Sequence, residues 1–238
     1  QLPDEVKNNY GGDGLNDNIL GRPINSMYGY VADGLFRSQD EVDNSAIQEG
    51  KGLGRIRYKD INGDGTITDN DRVAAGSALP DFTYNISLKA AYKNFDLGLN
   101  FNGVAGNMIY NNTASTLFSR GRLGISQNTT DAATQFPNER LNNTNVISTR
   151  YLEKGDFFRL NNATLGYSLD PKILGIGEHV RNIRFSVTAQ NLFVITKYSG
   201  FDPEINTGLS QGEIQSFGID YATYPKARSF VFGVNVAV

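Results

Sequence analysis

Hydrophobic and polar positions alternate strictly over several stretches of this chain. Between Thr83 and Tyr92, the residues Tyr84, Ile86, Leu88, Ala90 and Tyr92 fall on one side of an extended backbone, and Thr83, Asn85, Ser87 and Lys89 on the other. A period of two predicts a β-strand with two unlike faces. After a tight connection at Lys93-Asn94 the pattern resumes, with Phe95, Leu97, Leu99 and Phe101 opposed to Asp96, Gly98, Asn100 and Asn102, so the two stretches read as a hairpin. The same alternation predicts a strand over Ile183 to Gln190 and a last one over Arg228 to Val238, where Phe230, Phe232, Val234, Val236 and Val238 share a face. Less regular patterns predict strands over Met27 to Phe36 and over Phe157 to Leu169. In the second, the phase changes near Asn161-Asn162, as at a β-bulge. About six strands are expected in all. Pro171 to Val180 has room for one helical turn, and no longer helix is predicted.

The connections between these strands alternate in length: long over about 37–82, short at 93–94, long over about 103–156, moderate over about 170–181 and long over about 197–227. In an antiparallel up-and-down meander this places every long loop on one side. Outer-membrane barrels have that asymmetry, with long extracellular loops and short periplasmic turns. Aromatic residues near strand ends (Tyr84, Tyr92, Phe95, Phe101, Tyr167 and Phe230) suit the two interfacial girdles of such a barrel. A soluble β-sandwich also alternates apolar and polar positions, so the pattern by itself leaves both architectures open.

Composition changes this picture little. No stretch approaches the roughly 20 apolar residues that a membrane-spanning helix needs, but a barrel strand needs only about 9 to 11, with every second one apolar. The chain has 238 residues, no cysteine and a formal net charge of −3. Thiol redox chemistry, disulfides and thiolate metal sites are therefore excluded, and the absence of a basic face argues against nucleic acid as a partner. The chain opens Gln1-Leu2-Pro3-Asp4 without an initiator Met or a signal peptide, which reads as an internal or processed segment.

One run carries chemistry. Residues 60 to 71 follow the pattern D-x-N-x-D-G-x-I-x-x-x-D, close to an EF-hand calcium loop. A hard cation takes six to eight oxygens, and Asp60, Asn62, Asp64, the Thr66 carbonyl and Asp71 stand where that loop supplies them, with Gly65 at the sharp turn. Asp71 replaces the bidentate Glu and no amphipathic helices flank the loop, so a weaker, helix-free structural Ca2+ site that stiffens a long loop is expected. The alternative is an Asn/Asp/Gly-rich surface turn whose side chains bond their own backbone.

Enzymatic chemistry is not expected. The single histidine, His179, has no nucleophile motif near it and reads as a turn residue. Asp202 and Glu204 could suggest a glycosidase pair but read as structural. Gly11-Gly12-Asp13-Gly14 neither follows a strand nor opens a helix, and Arg120-Gly121-Arg122 reads as a solvated loop tip.

The strings INSMYGYVADGLFRSQDEV, RIRYKDINGDGTITDNDR, SALPDFTYNISLKAAYKNFDLGLNF, YLEKGDFFRLNNATLGYSL, FSVTAQNLFVITKYSGFDPEIN and YPKARSFVFGVNVAV span residues 24 to 238. In order and spacing they resemble the successive C-terminal blocks of SusC/RagA-like TonB-dependent transporters. That resemblance implies an all-β fold in which residues 1–238 form the C-terminal part of a single transmembrane barrel of about 22 strands. The N-terminal plug and the TonB-contacting segment would lie upstream of Gln1. It implies TonB-dependent import of a large solute, such as an oligosaccharide or peptide, across a bacterial outer membrane. It also implies an extracellular SusD-like lipoprotein partner meeting the loops near 40–80, 105–155 and 200–225. Many barrels of this kind end in an aromatic residue, whereas this chain ends in Val238, with Phe230 and Phe232 inside the last strand. The rival expectation is a soluble, calcium-stabilised β-sandwich that binds carbohydrate at a cell surface.

Overall fold

A computed structural model describes residues 23, 26–117, 147–205 and 218–238. The glycine run at 11–14 and the Arg120-Gly121-Arg122 tip lie outside the described residues. The chain divides into two compact units: one of residues up to Pro80 with Asn107–Lys154 and Tyr198–Thr223, the other of Asp81–Gly106, Gly155–Lys197 and Tyr224–Val238.

In chain order the strands and helices are β1 (Ser26–Gly29), β2 (Ala32–Leu35), α1 (Gln39–Asn44), β3 (Ile56–Tyr58), β4 (Val73–Ser77), β5 (Phe82–Tyr92), β6 (Phe95–Ala105), β7 (Met108–Tyr110), α2 (Asn112–Leu117), β8 (Leu152–Lys154), β9 (Phe157–Leu169), β10 (Asn182–Thr196) and β11 (Ser229–Ala237).

The second unit is one antiparallel sheet in the order β11-β10-β9-β6-β5. Each long strand pairs with the next long strand along the chain, which is the expected up-and-down meander. The register runs without interruption from Phe82↔Ala105 to Tyr92↔Phe95, and β6 then pairs with β9 from Phe95↔Tyr167. The short connection 93–94 and the moderate one over 170–181 leave the sheet at one end, and the longer connections leave it at the other. Asn161 is an extra residue of β9 opposite the Asn100/Phe101 step, so the bulge lies where the phase change predicts it. A second irregularity falls between Gln190 and Phe193 of β10, where Asn191 adopts φ 51. This strand continues to Thr196, beyond the alternating stretch that marks it in the sequence. The shortfall has a local cause: Leu192 to Ile195 is continuously apolar and does not alternate, although Phe193 and Ile195 keep the parity of Val187 and Ala189 and pair with Leu160 and Phe158.

The first unit departs from expectation. Met27 to Phe36 is not one strand: β1 pairs with β4, whereas β2 pairs with β3, and Tyr30 between them bonds the backbone of Ile147 and Thr149. Four further short strands or pairs (β3, β4, β7 and β8) occupy segments read as loops. They escape a periodicity argument because each has only three to five residues. Met27, Tyr110, Ala114, Tyr151 and Ile219 form a buried cluster, with Met108 and Leu152 packed against it. Gly76 is needed there, since a Cβ would lie 2.5 Å from Cγ of Met108.

Candidate functional site

The sheet of the second unit has two chemically distinct surfaces. Because paired residues face the same way, the rows Ile86–Phe101–Leu160–Phe193 and Leu97–Leu165–Val187–Phe232 run apolar from strand to strand. Most of this surface is exposed: Leu88 is 53 %, Phe230 60 %, Phe232 78 % and Val234 65 % accessible. Among the described residues of this unit, no second layer covers it. A β-sandwich would bury such a face about 10 Å beneath another sheet.

Aromatic rings gather at both ends of the apolar surface. At the long-loop end Phe82, Tyr84, Phe158 and Phe101 form a chain of ring contacts with centroids 5.7, 6.3 and 5.1 Å apart. The Tyr84 ring lies over Gly103, and its hydroxyl donates to the Phe157 carbonyl at 3.2 Å. At the short-turn end Phe95 packs on Tyr167 at 4.8 Å, and Lys93 lies over the Tyr92 ring. From Phe82 to Tyr92 the strand climbs about 33 Å, or about 25 Å along a membrane normal at a tilt of about 40°. That matches the apolar band of an outer-membrane barrel, which is about 25 Å tall.

The opposite surface is polar and internally bonded. Thr164 and Thr188 hydroxyls lie 2.9 Å apart, Ser87 donates to Asn100 at 2.7 Å, and Ser229 donates to Gln190 at 2.8 Å. Arg184 of β10 donates twice to Asp96 of β6, at 3.0 and 2.6 Å, reaching across the intervening strand. Gly166 of β9 makes room for that reach, because a Cβ there would collide with both ionic groups. A concavity of about 540 Å³ opens beside this pair, lined by Lys89, Asp96, Gly98, Asn100 and Thr164 among others.

In the first unit, the five residues expected to ligate calcium share one loop. Asp60 accepts from the backbone N–H groups of Gly63 and Gly65 at 2.7 and 2.8 Å, and Asn62 and Asp64 cap the N–H two residues on. Asp71 is fully buried and accepts from Ile61, Asn62 and Thr68. These N–H groups, that of Thr68 foremost, hold the Asp71 carboxyl below the usual carboxylate range against the opposing effect of burial. Among the described residues no three carboxylates or histidines stand close enough to form a metal cage. The loop is closed by its own hydrogen bonds, with the Thr66 N–H engaged by Asp64.

Sequence reasoning missed a polar network in the same unit. Glu153 accepts from the Asn111 amide, the Ser199 hydroxyl and the Ser199 N–H at 2.7–2.9 Å. Asp220, with no accessible surface, accepts from the Tyr198 hydroxyl at 2.5 Å and from the Thr223 N–H at 2.8 Å. Burial first, and the Asp220 bond second, push the Tyr198 hydroxyl pKa up. The Tyr198–Asp220, Asn111–Glu153 and Ser199–Glu153 partners are 22, 42 and 46 residues apart, so no local pattern announces them. The other candidates take structural places: His179 is an exposed turn residue, and buried Asp202 caps the Glu204 N–H at 2.9 Å.

No protein-family model matches the chain. It is 32 % identical over 228 residues to the TonB-dependent receptor P3 of Formosa agariphila, covering 91 % of this chain and 22 % of that protein. It is 27 % identical over 216 residues to the TonB-dependent receptor SusC of Bacteroides thetaiotaomicron, covering 87 % of this chain and 20 % of SusC. The chain belongs to the SusC/RagA-like TonB-dependent receptors. It spans about a fifth of the length of these relatives. The RagAB peptide importer in its open-open state shares the fold over 92 % of the chain, with a TM-score of 0.68 at 22 % identity and 23 % coverage of that structure. The RagAB peptide transporter matches with a TM-score of 0.64 at 23 % identity. The SusC/RagA-like fold gives the two sheet surfaces their sense: barrel strands turn alternate residues to lipid and to the lumen. The sheet of this receptor chain is therefore a stretch of barrel wall, and its exposed apolar rows need no second layer.

Proposed function

We propose that this chain forms wall strands and outer loops of a bacterial outer-membrane transporter that imports a large solute, an oligosaccharide or a peptide, with energy delivered through TonB. The observation that carries the reading is the uncovered apolar face of the five-stranded sheet, bounded at both ends by aromatic rings and backed by a polar face. Lipid solvates the first face, and the second lines the lumen. The described loops of the first unit fold around their own core, which suits a surface that meets a SusD-like lipoprotein and solute on the outside. The relatives carry receptor and importer names, which supports a transport role over an enzymatic one.

The experiment is fractionation of the full-length protein with and without heating. Recovery in outer membranes, with a folded form that migrates faster than the boiled one, is expected. A monodisperse protein in detergent-free buffer would overturn the reading. Uptake of candidate glycans and peptides by cells with and without the gene then separates the two solute classes.

The 60–71 loop completes the proposal as a structural calcium site. Its donors are all oxygens, and a carboxylate oxygen that accepts one N–H keeps a further lone pair for a cation. Binding draws Asp60, Asp64 and Asp71 closer than they stand here. Isothermal titration of the folded protein is expected to give a calcium isotherm that Asp60→Ala together with Asp64→Ala removes. No heat at millimolar calcium would leave the loop as the hydrogen-bonded turn described above.

A further inference from the structure

The connection between β9 and β10 carries an apolar tip that nothing in the wall requires. Ile173, Leu174 and Ile176 are 72, 55 and 41 % accessible, yet the segment is built rather than slack. Asp170 caps a turn of 3-10 helix over Pro171–Leu174, accepting from the Lys172 N–H at 3.0 Å, and Gly175 ends it with φ 71. Further backbone bonds run from Ile176 to the Pro171 carbonyl and from His179 and Val180 to that of Ile176, and Arg181 anchors the exit to Ala237 of β11 at 2.7 Å. Three aliphatic side chains are thus held outward on a braced scaffold.

The turn grows out of the apolar surface. Leu169, just before it, and Ile183, just after it, are paired across the sheet, and Val236 continues their row. The aromatic pair Phe95–Tyr167 lies one step further in. The aliphatic tip therefore extends the lipid-facing surface past its aromatic rim, where a bilayer's acyl–headgroup boundary lies. Exposed Lys172 and Arg181, together with exposed Asp170 and Glu178, give the aliphatic tip a polar fringe of balanced charge, with two cationic stems able to reach headgroup phosphates.

We propose that the 170–181 turn is an interfacial foot: Ile173, Leu174 and Ile176 enter the phospholipid leaflet on the short-turn side of the membrane. This rests on the outer-membrane reading above and adds a lipid contact outside the transmembrane strands. A periplasmic turn in water would leave these aliphatics hydrated, and a lipid leaflet is the apolar phase already in contact with the rows they continue.

Nitroxide labels on single cysteines at 173, at 174, at 232 in the wall and at 43 in the exposed α1 test it, in the full-length receptor reconstituted in phospholipid bilayers. Gel migration verifies the fold of each variant. Collision with oxygen severalfold above that with a water-soluble nickel chelate is expected at 173, 174 and 232, with the reverse at 43. Lipid exposure at 232 with nickel exposure at 173 and 174 would overturn the foot and leave the barrel reading intact. Protection of 173 and 174 from both reagents would overturn it in favour of a protein partner. Nickel exposure at 232 would overturn the barrel reading itself.

Discussion

The two units of this chain bury their apolar residues in opposite senses. The loop unit encloses Met27, Ile109, Tyr110 and Ile219, and satisfies its buried carboxylates Asp71 and Asp220 with N–H and O–H donors. The sheet unit leaves Leu88, Phe230, Phe232 and Val234 exposed and keeps its polar side chains bonded on the other face. On the outer-membrane reading proposed above, one chain can do both because the two units meet different solvents. In water, apolar area must be covered. In lipid, backbone groups must be paired and apolar side chains can face outward. The inner strands β6, β9 and β10 supply that pairing on both edges, whereas the loops stabilise each other through a compact core.

The sharpest way to break this comparison is to put a charge on the exposed face. Leu88→Arg, at mid-strand, is expected to cost about 2–4 kcal/mol in the folding of the receptor into lipid vesicles, whereas Ser87→Arg one residue away costs about 0.5–1.5 kcal/mol, the worth of the hydrogen bond to Asn100 that it removes. Denaturant titration by gel migration measures both, and equal costs would erase the distinction between faces. In the loop unit the corresponding break is Asp220→Ala. Leaving the Tyr198 hydroxyl and the Thr223 N–H without their acceptor is expected to cost about 1–3 kcal/mol, read as faster amide exchange around 198 and 220–223, with β5 and β6 unchanged. Gly103→Ala sharpens the sheet side. The new methyl would meet the Tyr84 ring and lie 2.5 Å from the Phe157 carbonyl, so a loss of about 1–2 kcal/mol is expected in the same denaturant titration.

The smallest effect is a matter of pH. The Asp71 carboxyl has a lowered folded pKa, so its contribution is present above the unfolded carboxylate pKa of about 3.9 and is lost as pH falls through the folded value. Protease resistance of the 60–71 loop should hold from pH 7 to pH 5 and decline below about pH 4, and Asp71→Asn should weaken it already at pH 7. A decline between pH 6 and 7 would contradict the assignment.

How much could be read in advance differs between the units for the same reason. Alternation in Thr83–Tyr92 and Phe95–Asn102 is a local property of an extended backbone, and a hairpin of two such strands has partners a few residues away. The phase change at Asn161 is visible because a bulge displaces its neighbours by one position in the sequence itself. Met27–Phe36 misleads because its two halves pair with strands some 20 to 50 residues downstream, and nothing in the segment states that they differ. The calcium-like loop is legible as a motif, whereas its closure by Asp71 appears only when its hydrogen bonds are traced.

The sequence by itself determined the five long strands, their two faces, the side on which the long loops lie and, through its ordered blocks, the receptor family. These follow from short-range spacing and from strings that survive in order. Only the tertiary structure decided that the apolar face stays uncovered in its unit, that Gly166 lets Arg184 reach Asp96, and that Tyr198 and Asp220 meet in the loops. Each of those depends on which distant segments lie side by side, and a single contact between them leaves no periodic trace in either partner.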